Sequence, residues 1–308
     1  MNAVVAISNQ ATTNIYGQIT ETASSGSGFI ITENGYVVTN YHVAEGATKL
    51  TVILHNGTEY DAKLVGYDSA NDVAVLKVDA TGLPFVKLGK SDDLIVGDQV
   101  VAIGNPLGEL TNSLTVGYVS AIERSIKTGG ALINMIQADV AINSGNSGGP
   151  LFNMKGEVVG ITTAKYSGTS GSGATIEGIS FAIPVDDVAK KVNDLVNYGY
   201  ITGAYLGVSV SDTDPTYAEY FGIPAGAYVR EVTKGYCAYE AGIKAKDVIV
   251  ELGGYKITSL NDLSQALDKF NPGDTIIVVV YRGGGAINIE LTLDERPKMT
   301  NSDVTPAP

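Results

Sequence analysis

The chain is 308 residues long, enough for two domains at about 100 to 200 residues each, and its 44% hydrophobic and 17% charged residues with 37 glycines exclude collagen, coiled coil and wholesale disorder. Acidic side chains outnumber basic ones 33 to 20, and the net charge of -13 repels phosphate backbones and anionic lipid, so no nucleic-acid partner is expected. The single cysteine, Cys237, excludes an intrachain disulfide, and the longest aliphatic runs, such as Ile276 to Val280, fall far short of the roughly 20 apolar residues that span a bilayer.

Met1 runs almost directly into strand-like Val4-Val5-Ala6-Ile7 with no basic stretch before it, which reads as a trimmed start and leaves a leader or anchor open. From Ser25 to Leu76 short β-rich runs are broken by turn residues. Phe29 to Thr32 and Tyr36 to Thr39 flank Glu33-Asn34-Gly35 as a hairpin. Further runs lie at Leu50 to Leu54, Ala62 to Tyr67, Val73 to Val78, Gln99 to Ile103, Ser113 to Ala121, Ile133 to Gln137, Val158 to Thr163 and Ile179 to Ala182. Many short strands at this spacing predict barrels or sandwiches. The period then changes: Val188, Val192, Leu195 and Val196 recur at helical spacing after Pro184 and stop near Gly199, a closing helix before a linker.

A second unit carries strand-like runs at Tyr205 to Val210, Ala227 to Val232, Val248 to Leu252, Thr275 to Tyr281 and Ile287 to Leu293. Two short helices are predicted between them, Cys237 to Ala241, closed by Gly242, and Leu260 to Phe270, opened by Ser259 with Asp262 three residues on. The expected division is a mainly β domain over residues 1–200, a small α+β domain over 203–296 and a disordered tail over 297–308.

The most informative segment is Gly145-Asn146-Ser147-Gly148-Gly149-Pro150, where three glycines around one serine give a backbone that can turn sharply, expose the hydroxyl and aim N–H groups into a cleft. A serine is a weak nucleophile until a base takes its proton, and the chain has two histidines. His55 sits in the turn-like Leu54-His55-Asn56-Gly57 and reads as solvated, whereas His42 follows the apolar run Tyr36 to Tyr41 at a strand end. A carboxylate must fix the imidazole tautomer. Asp72 fits best, because it opens the strand Val73 to Val78, where a buried carboxylate is costly without a partner; Asp61, Asp68 and Asp79 read as solvated.

Together, Gly26-Ser27-Gly28-Phe29-Ile30-Ile31, Val38-Thr39-Asn40-Tyr41-His42-Val43, Asp72-Val73-Ala74-Val75-Leu76-Lys77, Ile103-Gly104-Asn105-Pro106 and Asn143 to Pro150 resemble the HtrA/DegP family of trypsin-fold serine proteases. The order His, Asp, Ser is similar to the chymotrypsin-like arrangement. The resemblance implies a chymotrypsin-like double β-barrel, with His42 as general base, Asp72 as its orienter, Ser147 as nucleophile and the N–H groups of Gly145 and Ser147 as oxyanion hole. Digestive relatives place an Asp before the nucleophile; here it is Asn146, so activation by N-terminal cleavage is not expected. Where trypsin-like enzymes carry an acidic residue six places before the nucleophile, this chain has Ala141 with Ile142 beside it, which predicts an apolar P1 pocket. The loop Tyr166 to Gly178, rich in Gly, Ser and Thr, resembles the family's activation loop.

The second unit resembles a PDZ domain, and Tyr205-Leu206-Gly207-Val208 is similar to its carboxylate-binding loop, which implies capture of C-terminal peptides with the Leu260 to Phe270 helix lining the groove. Cys237 has no visible partner and reads as a buried structural thiol; neither a metal nor a cofactor is indicated. By resemblance the chain is an ATP-independent endopeptidase of unfolded proteins in an extracytoplasmic compartment. A homotrimer follows in the same way, with Val4 to Tyr16 as a contact. The competing class is a peptide-binding chaperone or scaffold with a resting protease domain, against which the intact His42, Asp72 and Ser147 speak. A hydrolase of small esters lacks the strand-turn-helix nucleophile elbow.

Overall fold

The computed structural model describes residues 2–15, 18–69, 71–105, 113–128, 131–142, 145–163, 179–213, 218, 220 and 222–298, with the side chains of 12–21, 125 and 127–132 left aside. The loop Tyr166 to Gly178 and most of the expected tail lie outside the described residues. The chain divides into two compact units, the first mostly residues up to 200 and the second mostly residues from 201 on.

In the first unit, β1 (Val4–Ile15), β2 (Gln18–Ile30), β3 (Tyr36–Thr39), β4 (Lys49–Ile53), β5 (Glu59–Asp68) and β6 (Val73–Val78) close a barrel in the order β1-β2-β3-β6-β5-β4. Alternate residues point inward, and Ile7, Ile30, Val37, Val52, Leu76 and Val78 fill the interior. Val4 to Ile7 are buried within this unit, none more than 2% exposed, with Val5 and Ile7 in the core of this barrel.

The second barrel uses β8 (Gln99–Gly104), β9 (Ser113–Thr128), β10 (Ala131–Ala138), β11 (Pro150–Asn153), β12 (Glu157–Thr163) and β13 (Ser180–Pro184). Its order is β11-β8-β9-β10-β13-β12, closed by β11 on β12, with β7 (Lys87–Leu88) added in parallel to β12. Val100, Ala102, Val119, Ile136, Leu151 and Val159 form its core. A one-turn helix, α1 (Tyr41–Ala44), follows β3, and α2 (Val185–Tyr198) closes the unit, ending at Gly199 with φ 77°. Helix α2 packs on β5, β6 and β12, its Leu195 seated over Gly66.

The second unit pairs β14 (Ala204–Tyr205) with β21 (Asp294–Glu295) beside a sheet of β15 (Val208–Asp212), β16 (Ala227–Val232), β17 (Val248–Leu252), β19 (Thr275–Arg282) and β20 (Gly285–Thr292) in that order; β18 (Tyr255–Lys256) pairs with β17. Its helices are α3 (Cys237–Glu240) and α4 (Leu260–Leu267). The Ser259 hydroxyl caps α4 by accepting from the Asp262 N–H at 3.1 Å, a contact worth about 1 kcal/mol in general. Two expectations are corrected. The run Tyr205 to Val210 is two strands, because Gly207 at φ 77° breaks the extended backbone, and α4 ends three residues before Phe270.

Candidate active site

The first barrel supplies a clamped histidine and aspartate. β3 stops at Thr39 and the chain turns into α1, so His42 sits in a helical turn rather than at the strand end itself. Asp72, between β5 and β6, adopts φ 54°, a left-handed conformation that aspartate tolerates better than most residues, and is 4% exposed. Its Oδ2 lies 2.7 Å from His42 Nδ1 and its Oδ1 accepts from the His42 main-chain N–H at 2.9 Å. Its carbonyl accepts from Asn40 Nδ2 at 2.9 Å and from the Tyr41 N–H at 3.1 Å. With Nδ1 donating to the carboxylate, Nε2 is left as the acceptor. Beside it Tyr41 stacks on Tyr67 with ring centroids 4.2 Å apart, and burial, with Tyr67 and Glu45 nearby, holds the Tyr41 phenol well above the usual range.

The second barrel supplies the serine. Residues 145–149 turn between β10 and β11, and Gly148 takes φ 82°, where a Cβ would strike the Ser27 carbonyl and the Thr39 hydroxyl. Ser147 is 3% exposed, recessed where the sequence led us to expect an exposed hydroxyl. A Cβ on Gly26 would lie 2.7 Å from Val43 Cγ2 and 3.0 Å from the Ser147 carbonyl, so the turn that carries His42 and the loop that carries Ser147 press on one glycine. Asn146, the residue in place of an aspartate, donates through Nδ2 to the Ala141 carbonyl at 3.2 Å. Ile142 is half-buried against the second barrel's core and Ala141 is exposed.

The remaining candidates separate cleanly. His55 is exposed at the β4–β5 hairpin, and the Asp61 side chain is 83% exposed. Asp68 is a correction: its side chain is only 13% exposed and pairs with Lys191 of α2 at 3.0 Å. Burial pushes that carboxyl up, but Lys191 and hydrogen bonds from Asn71 outweigh it and hold it below the ordinary aspartate value. Residues inside the motifs that were given no role there hold the site from behind, among them Asn40, Thr39 and Ser27; the last is marked in the sequence only as a serine between two glycines.

In the second unit Leu206 is buried in the core, so its backbone rather than its side chain is available for contact. Its carbonyl accepts from the Ala238 N–H at 3.1 Å, and the Gly207 carbonyl from the Thr233 N–H at 2.8 Å. A Cβ on Gly207 would run into Tyr236, which packs edge-on against half-buried Tyr205 with centroids 5.1 Å apart. Val208 opens β15, which has only β16 as a neighbour among the described residues and lies against α4. The Cys237 thiol, 3.3 Å from the Tyr205 carbonyl, is pushed up by burial, as a structural thiol is.

Two closed barrels with a part-buried His–Asp pair on the first and a glycine-flanked serine on the second define the trypsin-like peptidase class, and the family described as "Trypsin-like peptidase domain" matches residues 26–161 while "PDZ domain" matches 204–293. The chain belongs to the HtrA/DegP family of serine proteases. It is 40% identical over 327 residues to the Serine protease Do-like HtrA of Bacillus subtilis, covering 97% of this chain and 72% of that protein. It is 42% identical over 283 residues to the Probable periplasmic serine endoprotease DegP-like of Halomonas elongata, covering 91% of this chain and 58% of the relative. The chain thus spans little more than half the length of the DegP-like relatives. Among solved structures, the HtrA-type protease AlgW with decapeptide superposes with a TM-score of 0.70 at 33% identity over 97% of both chains, and the serine endoprotease from Yersinia pestis with 0.64 at 34% over 96% of this chain and 95% of that one. Among the described residues no helix is long and apolar enough to cross a membrane.

Proposed function

We propose that the chain is an ATP-independent serine endopeptidase of unfolded or misfolded proteins, in which Ser147 is the nucleophile, His42 the general base, Asp72 its orienter, and the N–H groups of Gly145 and Ser147 the oxyanion hole. The observation that carries this reading is the Asp72 carboxylate held on both His42 Nδ1 and the His42 N–H, an arrangement that leaves Nε2 to receive a proton. Ser147 Oγ adds to the scissile carbonyl as its proton passes to His42. The imidazolium returns that proton to the leaving amine, and water, deprotonated by His42, then releases the acyl group.

Ala141 and Ile142 bound an apolar P1 pocket. Cleavage of a randomised peptide library is expected after Val, Ala or Leu, and dominant cleavage after Lys or Arg would defeat that assignment. The second unit captures C-terminal peptides. The carboxylate meets the backbone of Leu206 and Gly207, between Tyr205 and Val208, and the peptide adds a strand along the open edge of β15. The periplasmic naming of relatives supports an extracytoplasmic location, and the family resemblance supports a homotrimer and the division into residues 1–200 and 203–296.

The experiment is digestion of unfolded β-casein by the wild type and by Ser147→Ala, each with and without a peptide ending in a free apolar carboxylate. Loss of casein with the wild type alone is expected, accelerated by the peptide. Casein that stays intact in all four reactions, with Ser147 unreactive to a fluorophosphonate probe, would favour a peptide-binding chaperone instead.

A further inference from the structure

Ser27 lies within β2 on the first barrel and is fully buried, yet its hydroxyl and its N–H are both spent on the other side of the site. Its hydroxyl donates to the Gly145 carbonyl at 2.7 Å and accepts from the Asn105 N–H, just beyond β8 of the second barrel, at 2.7 Å. Its N–H donates to the Ser147 carbonyl at 2.7 Å, and its own carbonyl accepts from the Thr39 hydroxyl at 2.7 Å. A strand of a closed barrel has no need of a hydroxyl at such a position, and burying one without partners is costly. Here both of its hydrogen-bonding roles are filled by backbone far along the chain.

We propose that Ser27 is a positioning residue for the oxyanion hole, an inference that rests on the roles given above to Gly145 and Ser147. Three successive carbonyls of the loop are held. Ser27 takes those of Gly145 and Ser147, and Thr162 on β12 takes that of Asn146 through its hydroxyl at 2.5 Å. In a planar trans peptide the N–H points opposite the carbonyl, so fixing the Asn146 carbonyl on Thr162 aims the Ser147 N–H away from it, toward the position a substrate oxygen would take. Gly145 has no Cβ to restrict its torsions, and its ψ is set instead by the Ser27 hydroxyl. Ser27 thus pins the carbonyls on either side of the Asn146–Ser147 peptide, so a residue of the first barrel holds in place the backbone from which a donor of the second faces the reacting carbonyl. Preorganised donors stabilise the oxyanion only while that aim is kept.

The test compares wild type, Ser27→Ala, Ser91→Ala and Ser147→Ala on a chromogenic peptide, with thermal melting and fluorophosphonate labelling of Ser147. Ser91 is the matched control: also buried, it accepts from the Asp186 N–H at 3.0 Å and donates to Asp186 Oδ2 at 3.1 Å, away from the site. Ser27→Ala is expected to lower kcat about 10- to 100-fold, less than outright loss of an oxyanion donor, with KM within about two-fold and labelling slowed in parallel. Ser91→Ala should lose a similar amount of thermal stability and keep kcat. If Ser27→Ala does not fold, Ser27→Cys, which retains a weaker donor, is expected to show the same kcat loss on a smaller scale. Wild-type kcat and labelling in Ser27→Ala, or in a folded Ser27→Cys whose alanine counterpart does not fold, would overturn the proposal. So would an equal kcat loss in Ser91→Ala. Casein or peptide cleavage surviving in Ser147→Ala would instead overturn the site on which it rests.

Discussion

Asp72→Asn is expected to lower kcat by about four orders of magnitude while leaving the fold intact. The reason lies in how the two carboxylate oxygens are used. Oδ1 accepts from the His42 main-chain N–H at 2.9 Å, and only an oxygen can occupy that place. An asparagine must therefore put its oxygen there and its amide nitrogen at the Oδ2 position, 2.7 Å from His42 Nδ1. That nitrogen donates. Nδ1 becomes the acceptor, the proton moves to Nε2, and the imidazole is locked in the tautomer that cannot take a proton from Ser147. Asparagine also tolerates the left-handed φ of 54° at this position, so the backbone stays in place. The check is kcat on a peptide substrate beside thermal melting. More than about a tenth of wild-type kcat in the folded variant would mean that Asp72 does not set the tautomer, since a locked imidazole predicts a loss of about four decades.

How much of this was legible in the sequence depended on the distance over which each feature acts. Short apolar runs bounded by turn residues, such as Val73 to Val78, and the glycine-rich turn at Gly145 to Pro150 carry their signals locally, and the motifs around His42, Asp72 and Ser147 carried the resemblance that implied the double barrel. Short helices were harder. The four residues of α1 continue an apolar run, and one turn is too short for a 3.6-residue period to separate from a strand. Gly207 was visible as a glycine, but its positive φ depends on packing against Tyr236, so the strand looked continuous. The long-range polar contacts were invisible: Ser27 gives no hint that it reaches Asn105 and Gly145, and Asp68 looks like any turn aspartate until α2 lays Lys191 over it.

That lysine carries the second large effect. Lys191→Met is expected to destabilise the first unit by about 3 to 5 kcal/mol at neutral pH, the usual cost of removing one member of a buried pair. Both side chains are shielded, Lys191 8% and Asp68 13% exposed, with Nζ 3.0 Å from Oδ2. Asn71 donates to the same carboxylate through Nδ2 at 2.7 Å, yet a neutral amide does not replace a cation. The pH dependence follows from the sign of the shift. In the wild type the folded Asp68 carboxyl is held below the ordinary aspartate value, so the stability that this pair contributes is fully present above about pH 4 and is lost as pH falls through the depressed folded value. Without Lys191, burial dominates and the folded value rises above the unfolded one. The unpaired carboxylate then penalises folding most at neutral pH, and its protonation on acidification relieves the penalty. Asp187 acts in the same direction: burial and Asp92 already raise it, and Lys191 is one of the groups holding it down. The gap between wild type and Lys191→Met, measured by urea unfolding, should therefore narrow from pH 7 to pH 4.5. Adding Asp68→Leu to Lys191→Met should recover most of the loss at pH 7, because the stranded charge rather than the missing attraction is what destabilises. A deficit below about 1 kcal/mol at pH 7, typical of an exposed pair, or one equal at both pH values, would place these two charges in water rather than in the packing between α2 and β5.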